Sequence, residues 1–192
     1  QGLILFNHDE KTLNESSQKD ENTIAIFLNE NLKKNSEKKL LGSTVSIFEP
    51  GEYEVNNIPI QSHAIRLNTE NLDESANIYS VISEGMTICF LNEISKITIP
   101  ANITESIGKI DILVCLSDDS SDKSVESINS LLSGLDPKIL IIAEKNSNHD
   151  TSEIYQKLIK GLGHSSEDSV INANITKSGI SDALKVVNLR KS

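Results

Sequence analysis

Apolar and polar positions alternate in short blocks along this chain, and the blocks predict strands first and strand-helix alternation later. Residues 2–6 form a short apolar run, followed by the polar stretch 7–22, which reads as a strand and an exposed loop. A second apolar run covers 23–28, and residues 29–39 are polar and helical in part. Three strands are then predicted at 44–48, 53–55 and 58–66, broken by turns at Pro50-Gly51 and Asn56-Asn57 and pairing as an antiparallel meander. After a polar loop at 67–75, runs 77–83 and 86–91 flank Glu84-Gly85, the signature of a two-residue hairpin.

The rhythm changes beyond residue 91. A strand at 110–116, helical spacing of Val125, Ile128, Leu131 and Leu132 within 122–132, and a strand at 137–143 make a βαβ unit. A helix follows at 150–162, capped by Asp150, Thr151 or Ser152 and stopped by Gly161 or Gly163. Strands at 170–175 and 184–189 close the chain, with a helical turn at 178–182 between them. Hairpins followed by βα alternation suggest two sheets packed face to face with helices outside, an α/β fold of the αββα sandwich type. At 192 residues, without an internal repeat or a low-complexity linker, one domain spanning 1–192 is expected.

Charge narrows the range of partners. Eighteen Lys and Arg against 28 Asp and Glu give a net charge of −10, which disfavours nucleic acid and anionic lipid. Lys33-Lys34 with Lys38-Lys39 is interleaved with Asn, Ser and Glu and reads as a solvated face. No apolar run approaches the roughly 20 residues of a membrane helix, and no leader pattern precedes the first strand, so the expected compartment is the cytoplasm. Gln1 is not an initiator methionine. Cys89 and Cys115 sit in two apolar strands and are expected to be buried free thiols, with a disulfide conceivable if those strands are neighbours. The low aromatic content of 4% argues against a stacking pocket for sugars or bases. Gly161-Leu162-Gly163 lacks the context of a dinucleotide fingerprint.

The segment 48–60, Phe-Glu-Pro-Gly-Glu-Tyr-Glu-Val-Asn-Asn-Ile-Pro-Ile, carries a further signal. It resembles the Pro-Gly-Glu-Tyr-Glu signature of small metallo-β-lactamase-fold proteins, the branch that includes ascorbate-lactonase-like and other zinc-dependent hydrolases. Asn77-Ile78-Tyr79, the run from Asp111 to Leu116, Asp136-Pro137-Lys138 and the closing segment 170–189 are similar to that branch in the same order. The resemblance implies an αββα sandwich lacking the first N-terminal strands of its first sheet. An open edge near residues 2–6 would then be covered by a second copy of this chain, giving a homo-oligomer, or by a partner chain.

Active members of that family bind zinc through a His-x-His-x-Asp-His loop and later His or Asp residues, and a bound water attacks the substrate. Carried onto this chain, the motif falls on His8, Glu10, Thr12 and Leu13, so one of its four ligands is retained. A later His position is occupied by Phe90, the following Asp by Glu93, and the last His by Glu144. The resemblance therefore implies a degenerate metal site at His8, Glu10, Glu93 and Glu144, no cofactor, and a structural or protein-interaction role. The alternative is a metal-dependent hydrolase in which that imidazole and three carboxylates hold one divalent ion such as Mn²⁺, Mg²⁺ or Ca²⁺. His63 could approach the cleft from its strand, whereas His149 and His164 read as surface loop residues.

Overall fold

The computed structural model describes residues 3–6, 23–26, 45–66, 75–92, 99–117, 122–144, 156–157, 159–161 and 170–189. Two sheets emerge among them. The smaller is parallel, with β1 (Leu3–Phe6), β2 (Thr23–Ile26) and β3 (Val45–Ile47) in that spatial order. The larger has seven strands: β4 (Gly51–Val55), β5 (Ile58–Arg66), β6 (Ser75–Ser83), β7 (Met86–Asn92), β8 (Ile112–Ser117), β9 (Ile139–Glu144) and β10 (Lys185–Leu189), ordered β10-β9-β8-β7-β6-β5-β4.

Strands β4 to β7 meander antiparallel, as the turn residues predict. Asn56 and Asn57 (φ 53° and 60°) and Glu84 and Gly85 (φ 52° and 74°) place both central residues of each two-residue loop in the left-handed region. That geometry defines type I′ turns, whose twist matches the flanking strands; Asn and Gly tolerate it well, and Glu84 carries a small strain. From β7 onward the pairs are parallel, which requires crossovers. Helix α1 (Ala101–Ile107) supplies one between β7 and β8, and helix α2 (Asp122–Leu135) supplies the next between β8 and β9.

The alternation of side chains along the strands sorts the core. Cys89, Leu91, Leu113, Cys115, Leu140 and Ile142 pack toward Ile107 of α1 and Ile128, Leu131 and Leu135 of α2. The opposite face meets the smaller sheet, where Ile24, Ile26 and Ile47 pack on Ile60, Tyr79 and Val81, with Phe90 and Leu116 against them. Farther along that face, Ile112, Ile139, Ile141 and Val187 are covered by Ile175 and Ile180. Two sheets face to face with helices on the outer side of the larger one match the predicted architecture. The polar run 29–39, expected to be partly helical, lies outside the described residues, and of the 150–162 helix only 156–157 and 159–161 are described, all helical.

Three predictions need correction. Residues 44–48 do not join the meander: β3 pairs in parallel with β2 in the other sheet, and the Pro50-Gly51 turn carries the chain across from one sheet to the other. A period-two pattern reports that a strand exists but not which sheet it enters. The strand predicted at 170–175 is reduced to a single bridge between Val170 and Leu189. Its exposed asparagines, Asn172 and Asn174, interrupt the apolar pattern, and Ile175 packs down on the sheet face in place of edge pairing. Between residues 91 and 110, where no element is predicted, α1 forms directly after Pro100, with Ile103 and Ile107 spaced to face the core.

Candidate functional site

Parallel strands bring their carboxyl ends together, and in open α/β sheets that edge is where ligands bind. Here the register aligns Asn92 with Leu116, Leu116 with Ala143, and Ser117 with Glu144, so β7, β8 and β9 end side by side. Glu144 is the last residue of β9 and reaches this edge. His8, Glu10 and Glu93 lie outside the described residues, as does the side chain of Glu144. The structure therefore places one of the four candidate positions, by its backbone, and does not show the four together. Among the described residues, no three His, Cys, Asp or Glu side chains gather in a way that could hold a metal ion.

Phe90 is described in full. It lies on β7 opposite Tyr79, and its ring is half-buried against the inter-sheet cluster of Ile24, Ile26, Ile47, Ile60 and Val81. Leu116, near the end of β8, packs into the same cluster. Phe90 and Leu116 thus make this part of β7 and β8 apolar on the side facing the smaller sheet. Phenylalanine offers no lone pair to a cation, so Phe90 itself cannot ligate a metal.

The residues of the Pro-Gly-Glu-Tyr-Glu segment serve the crossover. The Tyr53 hydroxyl donates to the Glu49 carbonyl at 2.7 Å, closing the turn on itself. The Phe48 carbonyl, at the point where the chain leaves β3, accepts from Asn77 Nδ2 at 2.5 Å and from the Tyr79 hydroxyl at 2.8 Å. Asn77 and Tyr79 both lie on β6, so the larger sheet holds the exit of the smaller one through buried side chains. Tyr79 is fully buried. Burial pushes its phenol above the ordinary range, partly offset by the hydrogen bond with Asn77.

A second polar junction, whose Asp111 the sequence places only within the predicted strand at 110–116, sits at the opposite end of β8. Asp111 is buried, and both its carboxylate oxygens accept from Lys177 Nζ at 2.7 Å. Oδ2 also accepts the Thr87 backbone N–H at 3.0 Å. The Asp111 backbone bonds to Thr87, Lys138 and Ile139, tying β7, β8 and β9 together at their amino ends. Lys177 belongs to the 3₁₀ turn Lys177–Gly179, so the ion pair anchors the return to β10. The available signal was an Asp immediately before an apolar run, a position where burial demands a partner; the partner, 66 residues away, is not visible in sequence.

His63 lies inside β5 opposite Ile78, on the face that carries Ile65 toward the helices, and thus not in the inter-sheet cleft. Its Nε2 is buried without a hydrogen-bond partner. Cys89 and Cys115 are buried free thiols on neighbouring strands, but Cys89 pairs with Leu113 and Cys115 with Leu91, so the two are diagonal, not opposite. Burial raises both thiols, Cys115 to about 12 and Cys89 further, with the neighbouring Cys115 adding to the shift. Neither thiolate forms at neutral pH. In native protein at pH 8 both cysteines should resist a maleimide reagent, and both should label after denaturation; rapid native labelling by mass spectrometry would contradict the burial.

Neither a family model nor a curated relative matches the sequence. The structure has clear counterparts. A protein of the metallo-β-lactamase superfamily from Thermotoga maritima superposes with a TM-score of 0.57 over 88% of this chain and 82% of its own, at 17% identity. The metallo-β-lactamase fold protein YhfI from Bacillus subtilis matches with a TM-score of 0.53 over 99% of this chain and 75% of its own, at 8% identity. Igni18, a metallo hydrolase from Ignicoccus hospitalis, matches with a TM-score of 0.52 over 85% of this chain and 74% of its own, at 9% identity. This chain has the metallo-β-lactamase fold.

Proposed function

We propose that this chain is a non-catalytic metallo-β-lactamase-fold domain that serves as a structural or protein-interaction module. The observation that carries this reading is Phe90: its strand end, a zinc-ligand position in the family it resembles, is committed to the inter-sheet core. Hydrophobic packing at that point and imidazole coordination are mutually exclusive uses of one side chain. The replacements at Glu10, Thr12 and Leu13 support the same conclusion.

The decisive measurement is the metal content of the full chain, purified without chelator or affinity metal, by elemental mass spectrometry. The expected result is well under one equivalent of Zn, Mn or Fe. Near-stoichiometric metal that falls on His8→Ala or Glu144→Ala would overturn the proposal in favour of a hydrolase with a rebuilt His and carboxylate site at His8, Glu10, Glu93 and Glu144.

The interaction surface is proposed at β1, which among the described residues forms one edge of the smaller sheet. Residues 3–6, Leu-Ile-Leu-Phe, contain neither a charge nor a proline that would blunt such an edge. A second copy or a partner chain adding a strand there would extend the sheet. In a parallel strand successive residues direct their backbone groups to opposite sides, so one of Ile4→Pro and Leu5→Pro removes an outward N–H and spares the β2 pairing. The wild type should therefore run above monomer mass by light scattering, alone or with its partner, and the folded proline variant should run as a monomer. A monomeric wild type with no partner, or assembly retained by the folded variant, would refute this geometry.

A further inference from the structure

We draw no further inference here: the strongest candidate, the groove of about 290 Å³ between β10 and residues 172–176, is lined by Asn172, Asn174, Thr176 and a strand whose Val186 and Asn188 already have interaction partners, and nothing in the structure shows what would occupy it.

Discussion

Tyr79→Ala is expected to destabilise the fold by about 4 kcal/mol, because it empties a fully buried aromatic site between the two sheets and removes a donor to the Phe48 carbonyl. Tyr79→Phe separates the two contributions. It keeps the ring among Ile24, Ile60 and Val81 and deletes only the hydroxyl, and should cost about 1 kcal/mol, since Asn77 Nδ2 still serves the same carbonyl. Urea unfolding with unchanged m-values would give both numbers. A phenylalanine variant as unstable as the alanine one would mean that the hydrogen bond, not the packing, holds the crossover.

The second large effect is expected at Asp111. Its burial is the largest single influence and opposes the charged form, but the Lys177 hydrogen bonds, the Thr87 N–H and the charges of Lys177 and Lys109 together outweigh it and hold the carboxyl below its ordinary value. A carboxyl depressed in the folded state stabilises the protein above its unfolded value, about 3.9, and that contribution is lost as pH falls through the folded value. Lys177→Ala leaves Asp111 buried with the Thr87 N–H and without its counter-charge, and should cost about 2 kcal/mol at pH 7. Because Lys177 is about half exposed, the loss falls short of that for a fully buried pair. The variant should also show a shallower fall in stability between pH 5 and pH 2. Parallel acid-unfolding curves for wild type and variant would show that the pair makes no contribution linked to protonation.

Both residues were visible in the sequence, but for different reasons than their roles. Tyr79 and Asn77 belonged to a strand pattern, and the two type I′ hairpins could be read from Asn56-Asn57 and Glu84-Gly85, because turn chemistry and period-two alternation are local properties. The βαβ unit of β8, α2 and β9 was legible for the same reason. The candidate site was legible only as a set of substitutions, His8, Glu10, Glu93 and Glu144 among them, and of these the described structure places Glu144 at the carboxyl edge of β9.

Sequence by itself determined the strands from β4 to β9, the two-residue turns and the buried cysteines, since each follows from residue type and nearest-neighbour spacing. Tertiary structure decided what those residues do. It sent β3 into the smaller sheet, turned the predicted strand at 170–175 into a covering strap, joined Asp111 to Lys177, and set Phe90 in the core between the sheets. Those outcomes depend on pairings between residues far apart in the chain, where the cost of burying a carbonyl, a carboxylate or an aromatic ring is met by whichever distant partner the fold brings within reach.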